Sequence, residues 1–108
     1  MRIAIDYDDT YTCDPKMWDD IIEIMQDDGH EVVCVTSRRS TFENRLELDK
    51  AEVGFRIPVV FCNYNPKAEF MRVRGEPVDI WIDDNPHTID PDGKEQKPQY
   101  AKWKNSGK

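Results

Sequence analysis

The residues best suited to chemistry fall in four short clusters. Asp6, Asp8 and Asp9 follow the apolar run Ile3-Ala4-Ile5, and Thr10 comes next. Thr36, Ser37 and Arg38 close a second apolar run, Val32-Val33-Cys34-Val35. Asn63 to Lys67 follow a third, and Asp83-Asp84 follow a fourth, Ile80-Trp81-Ile82. Carboxylates that converge repel and raise one another's proton affinity. A hard divalent cation relieves that repulsion, and oxygen-only ligands with water suit Mg²⁺. Asp6, Asp8, Asp83 and Asp84 are therefore the candidate metal ligands. Hydroxyls and cations nearby could hold phosphoryl oxygens, which nominates Thr10, Thr36, Ser37, Arg38 and Lys67. Phosphoryl transfer needs these parts: an in-line nucleophile, neutralised phosphoryl oxygens and a proton for the leaving oxygen. Asp6 at a strand end can attack phosphorus. Asp8, two residues on, can protonate the leaving alcohol and then deprotonate water. Lys67 offsets charge between nucleophile and phosphate, and Thr36 can donate a hydrogen bond to a phosphoryl oxygen. The catalytic candidates are Asp6, Asp8, Thr36 and Lys67.

Four clusters can meet only if the intervening chain brings the strand ends to one edge. Asp14-Pro15 is an N-cap followed by a first-turn proline. Trp18, Ile21, Ile22 and Met25 then recur at helical spacing, predicting a helix over 15–28 that ends at Gly29. Glu31 to Ser37 reads as a strand buried on both faces, as in a parallel sheet. Thr41 to Val53 reads as a second helix, with Phe42 and Leu46 inward and Gly54 as its stop. Ile57 to Cys62 is a third strand, placed at an edge because Pro58 lacks a ladder donor. Lys67 to Arg74 is a short helix, and Val78 to Ile82 a fourth strand. Strand and helix alternate throughout, which spells a parallel α/β sheet with right-handed crossovers. All four C-terminal strand ends then lie on the edge where such sheets bind ligands.

Composition fits that frame. The chain has 108 residues, enough for one domain with one core covered on two faces. Residues 94–108 carry five Lys against one Glu, a tail of +4, so residues 1–93 hold −11 of the net −7. The expected organisation is one α/β domain over 1–93 and a polar, Lys-rich tail over 94–108. The acidic body argues against a broad nucleic-acid surface, and no apolar run is long enough for a membrane helix. The N-terminus does not read as a signal peptide. Cys13, Cys34 and Cys62 are odd in number and lack metal-ligand spacing, so neither a disulfide framework nor a zinc site is expected, and the reading is cytoplasmic. Self-association is left open.

The motifs resemble those of the haloacid dehalogenase (HAD) superfamily, whose phosphatases depend on Mg²⁺. Asp6-Tyr7-Asp8-Asp9-Thr10 matches its first motif, DxDx(T/V). Thr36 after Val35, continuing Thr36-Ser37-Arg38, matches the second; Lys67 matches the third, and Asp83-Asp84 the acidic fourth. The resemblance implies a three-layer Rossmann-like sandwich with strand order 4-1-2-3. It implies Asp6 as nucleophile and metal ligand, Asp8 as general acid/base binding metal through its carbonyl, and Thr36 and Lys67 on the phosphate. Asp83 would be the direct metal ligand of the acidic pair. Asp9 departs from the glycine frequent at its position. The intervals from Thr10 to Val32 and from Ser37 to Ile57 have room for little more than one helix each, so no cap domain is expected and the flap after the first strand would be missing. Such an open edge suits a bulky phosphorylated substrate, small or macromolecular.

The function these readings converge on is a Mg²⁺-dependent phosphomonoester hydrolase working through an aspartyl phosphate on Asp6. The Lys-rich tail with Arg38 and Arg39 leans toward nucleotides or polynucleotide ends. Two alternatives remain: a catalytically weak metal- or phosphate-binding protein of the same fold, and a receiver-like phospho-acceptor domain. The order of parts disfavours the last, since the third strand ends in Phe61-Cys62-Asn63 and the acidic pair comes last.

Overall fold

The computed structural model describes residues 1–93; the Lys-rich segment 94–108 lies outside the described residues. Four strands form one parallel sheet: β1 (Arg2–Ile5), β2 (Glu31–Thr36), β3 (Val59–Phe61) and β4 (Ile80–Ile82). Their order is β3-β2-β1-β4, which read from the opposite edge is 4-1-2-3. Ile3 to Ile5 align with Val32 to Cys34 on one side and with Ile80 to Ile82 on the other, so β1 and β2 are the inner strands. Helices α1 (Pro15–Asp27), α2 (Phe42–Lys50), α3 (Glu52–Arg56) and α4 (Lys67–Val73) fill the crossovers. Short 3₁₀ turns sit at Tyr11–Cys13 and Pro86–Thr88. Only the first of these turns and α1 separate β1 from β2, and only α2 and α3 separate β2 from β3.

Side chains alternate across the sheet, as the strand period of two requires. Ala4, Val33, Val35 and Val60 face a core with Met71 of α4, Trp81 and Ile89. Ile5, Val32 and Cys34 face a second core with Ile22 of α1, Leu48 of α2 and Val53 of α3. Both faces of the inner strands are thus apolar, which explains why β2 is a continuous hydrophobic run.

The first helix follows its sequence signals. The Asp14 carboxylate accepts from the Met17 amide at 3.2 Å, Pro15 opens the helix, and Gly29 at φ +86° lets the chain turn away after it. The second helix departs from expectation. It is two helices, broken at Ala51, which has extended backbone (φ −74°, ψ 151°). Phe42 and Leu46, expected inward, are 74% and 41% exposed, and the residue of α2 that reaches the core is Leu48. Gly54 does not end a helix but lies inside α3, where a Cβ would stand 2.2 Å from the Leu48 carbonyl oxygen. Its role is to let α3 fold back against the end of α2. Strands β3 and β4 are shorter than expected, each with three residues. Pro58 stands before β3, an edge strand, and its carbonyl accepts from the Cys34 amide at 2.9 Å.

Among the described glycines Gly54 alone leaves no room for a Cβ, and the atom in the way is backbone with little freedom to yield. Gly54→Ala is expected to cost about 3 kcal/mol as an overpacked site, seen as a melting temperature lower by roughly 10 °C or more. A thermal melt checks this; an unchanged melting temperature would mean the α2–α3 junction is looser than the backbone indicates.

Candidate functional site

The sheet brings the first and fourth clusters together directly. β1 and β4 are hydrogen-bonded neighbours, and the Asp6 amide donates to the Ile82 carbonyl at 2.9 Å. Carboxylate oxygens of Asp6, Asp83 and Asp84 all lie within 4.8 Å of one another. Lys67 opens α4, and its side chain is buried to 1% exposure. Its ammonium donates to Asp6 Oδ1 at 2.9 Å and to Asp83 Oδ2 at 2.6 Å. The Asp83 side chain is equally buried, at 1%. Lys67 therefore joins a central strand, an edge strand and a helix through one buried cation.

Three carboxylates around one ammonium remain unbalanced. Burial pushes the Asp6 carboxyl up to about 7; Lys67 opposes the rise, and Asp83 adds to it. For Lys67, burial works against the ammonium, but Asp83 and Asp6 outweigh it and hold its pKa above the usual lysine value. The cluster carries two largely buried carboxylates and an exposed third against one ammonium, and that excess of negative charge is what an oxygen-seeking cation would neutralise. Asp6, Asp83 and Asp84 supply a hard, oxygen-only donor set at close range, which fits a divalent ion of that class.

Thr10 meets the acidic pair instead of standing free. Its hydroxyl donates to Asp84 Oδ1 at 3.0 Å and accepts from the Asp84 amide at 3.2 Å. The bond pins the loop after β1 to the loop after β4. Asp9, between Asp8 and Thr10, has φ +59°. That left-handed geometry is the reason glycine serves well at such a position, and Asp is among the residues that tolerate it. Its amide donates to Thr12 Oγ1 at 3.0 Å.

Asp8 is set apart from the acidic cluster. Arg38 grips its carboxylate from two nitrogens, at 2.9 and 2.8 Å. The same guanidinium donates to Asn44 Oδ1 at 3.1 Å and Glu47 Oε1 at 2.8 Å, and it lies 5.3 Å from the Tyr7 ring centre. Bonds to Asp8 and Glu47, against a lesser cost of burial, raise the Arg38 pKa further. Arg38, nominated for phosphate, thus spends most of its donors on protein partners. Thr36 is fully buried, and its hydroxyl accepts from the Arg38 amide at 3.2 Å, which leaves its own hydrogen to donate. Ser37 is half-buried, and its carbonyl accepts from the Tyr64 amide at 2.8 Å.

One polar group near the site escaped the sequence reading. Asp19, on the inner face of α1, is buried, accepts from the Tyr11 hydroxyl at 2.6 Å and pairs with Arg56 at 3.3 Å. It braces the turn after β1 against α1 and α3. Its position three residues before the fully buried Ile22 was the available signal.

Comparison with protein-family models, with curated proteins and with solved structures returns no match for this chain. The case for function therefore stands on the residues themselves.

Removing the Lys67 charge leaves Asp6 and Asp83 buried without their cation. Lys67→Met is expected to cost about 3–5 kcal/mol at pH 8. The loss should be smaller at pH 5.5, where Asp6 is mostly protonated; equal losses at the two pH values would contradict the pairing. Metal-free protein should also lose stability as pH rises from about 4 toward 7. Over that window the native Asp6 keeps a proton that the unfolded chain has released. A divalent cation held by the cluster would compete with that proton, so millimolar Mg²⁺ is expected to raise the melting temperature more at pH 8 than at pH 5.5. Thermal melts with and without Mg²⁺ at both pH values read this out.

Proposed function

We propose that this chain is a HAD-like phosphomonoester hydrolase, a capless three-layer Rossmann-like domain that uses Asp6 as nucleophile and requires a divalent cation such as Mg²⁺. The observation that carries the reading is the buried Lys67 bridge between Asp6 and Asp83, with Asp84 in reach of both. A lysine buried between two carboxylates at the ligand-binding edge of a parallel sheet is costly to keep for stability alone. It suits a site that must balance charge as an anionic phosphate enters and leaves.

In this reading Asp6, Asp83 and Asp84 hold the metal, together with the backbone carbonyl of Asp8. The bound ion supplies neutralisation of phosphoryl charge. The Asp6 carboxylate oxygen attacks phosphorus, and the bond from phosphorus to the ester oxygen breaks. Asp8, as general acid, would supply the proton that the departing alkoxide takes, leaving an aspartyl phosphate on Asp6. Asp8 then takes a proton from water, the water oxygen attacks phosphorus, and the Asp6–phosphorus link breaks to release inorganic phosphate. Lys67 keeps its ammonium against the Asp6 oxygen through both steps, lowering repulsion between carboxylate and phosphate. Thr36, fully buried as it stands, would give its hydroxyl hydrogen to a phosphoryl oxygen once the loop after β2 shifts to admit the phosphate. Asp8 must exchange its Arg38 partner for the leaving oxygen during turnover. In this reading the remaining Arg38 N–H and the Ser37 hydroxyl would take a further phosphate oxygen.

The clasp between Arg38 and Asp8 favours a second reading. If Asp8 stays bound to Arg38, the domain would bind metal and phosphate but turn over slowly. Titration calorimetry showing Mg²⁺ binding, with no hydrolysis across a broad phosphate-ester panel, would select it.

Purified protein with Mg²⁺ should hydrolyse an aryl phosphate, and chelation by EDTA should stop it reversibly. Asp6→Asn should remove at least about 10³-fold of the rate as loss of the nucleophile, and Asp8→Asn about 10²–10⁴-fold as loss of the acid/base. Steady-state release of phosphate measures both. Equal rates for wild type and Asp6→Asn would sink the mechanism.

A further inference from the structure

The loop after β3 carries a feature that the proposed chemistry does not use. Asn63 and Tyr64 are consecutive non-glycine residues at positive φ, +53° and +64°. They are the central pair of a tight turn closed by the Asn65 amide on the Cys62 carbonyl at 2.9 Å. Positive φ at both central positions is the type I′ pattern, which strongly prefers glycine at the second. Here that position holds tyrosine, a bulky residue for which the left-handed region is an outlier. The side chain recovers nothing by burial, since Tyr64 is 69% exposed. Backbone strain kept at an exposed aromatic is the pattern of ligand clamps.

The turn is also held rigidly at the edge where the site lies. The Tyr64 amide donates to the Ser37 carbonyl at 2.8 Å and the Asn63 amide to the Arg38 carbonyl at 3.1 Å. The Asn63 side chain accepts from the Ser40 amide at 3.0 Å. These bonds lock the turn to the loop that begins at Thr36, so Tyr64 stands one hydrogen bond away from the residue next to Thr36. Arg39 lies 5.5 Å from the Tyr64 ring centre and covers one side of it. The result is a flat, exposed, cation-backed π surface on a fixed backbone. Planar rings stack on such surfaces without regard to their edge groups.

We propose that Tyr64, backed by Arg39, is a specificity-determining subsite that stacks the base of a nucleoside monophosphate. The proposal rests on the hydrolase reading for its phosphate end, and the ring contact is testable apart from it. Adenosine 5′-monophosphate and glycerol 3-phosphate serve as esters with and without a ring, and adenosine as a ring without phosphate.

Three variants separate stacking from folding. Tyr64→Leu keeps an apolar side chain without a π face, Tyr64→Phe keeps the face, and Tyr64→Asn suits the left-handed backbone. The preference for adenosine 5′-monophosphate over glycerol 3-phosphate, as a ratio of kcat/KM, should fall about tenfold in Tyr64→Leu and Tyr64→Asn, the size of one base–aromatic stack. The loss should appear in KM, and Tyr64→Phe should retain the preference. The melting temperature of Tyr64→Asn should equal or exceed that of wild type, because the strain is relieved. Calorimetric titration with adenosine should show binding to wild type that weakens in Tyr64→Leu. An unchanged preference in Tyr64→Leu, or one that falls only with a melting temperature several degrees lower in Tyr64→Asn, overturns the subsite. If wild type hydrolyses neither these esters nor the aryl phosphate yet binds adenosine through Tyr64, the hydrolase reading fails and the stacking surface stands. Turnover of both esters with no effect of any Tyr64 substitution overturns the subsite and leaves the hydrolase reading intact.

Discussion

The arrangement of this protein turns on one buried cation. Lys67 lies at the start of α4 with its ammonium between Asp6 and Asp83. Both carboxylates are held by it, and its ammonium is held in its charged form by them. Loss of one member of such a group leaves a desolvated charge without its partner, which is the costly case. That mutual dependence fixes the position of α4 against the sheet and sets the separation of the β1 and β4 ends. Asp84 and Thr10 extend the same connection into the two flanking loops.

A second network lies beside the first and differs in kind. Arg38 joins Asp8, Asn44 and Glu47 over the Tyr7 ring, and most of these groups are partly exposed. Solvent screens such pairs, so their exchange costs little compared with the Lys67 group. The site therefore combines a rigid half, on β1, β4 and α4, with a half whose partners can be traded, on the loop after β2 and the face of α2. For phosphoryl transfer that division is useful. Under the proposed reaction Asp6, as nucleophile, would have to hold still, while Asp8, as acid/base, would have to reach two different oxygens in succession.

Much of the rigid half was legible in the sequence, because each part sits beside an apolar run. A strand ending in carboxylates can be recognised locally, and parallel topology sends every strand end to the same edge. Asp6, Asp83, Asp84 and Lys67 are all found this way, although Lys67 alone would pass for an exposed helix-start lysine. The Arg38–Asp8 clasp was not legible. Its partners are 30 residues apart, and no local pattern marks an arginine that faces inward. Asp19 was hidden for the same reason, its partners Tyr11 and Arg56 lying on other elements. The split of the second helix depends on Gly54 passing the Leu48 carbonyl, a contact invisible to periodicity. Asp9 had no evident role as a charge; its contribution is a backbone angle.

The candidate site straddles an inner strand and an outer one. Asp6 leaves β1, paired on both sides, while Asp83 and Asp84 leave β4, a three-residue strand paired only to β1. Segments with fewer ladder partners can open locally at less cost than the whole domain. Detachment of β4 would scatter the acidic cluster while β1, β2 and the core beneath α1 persist. The cluster's integrity is then a local equilibrium, separate from that of the whole domain, and amide exchange along 80–84 would report it.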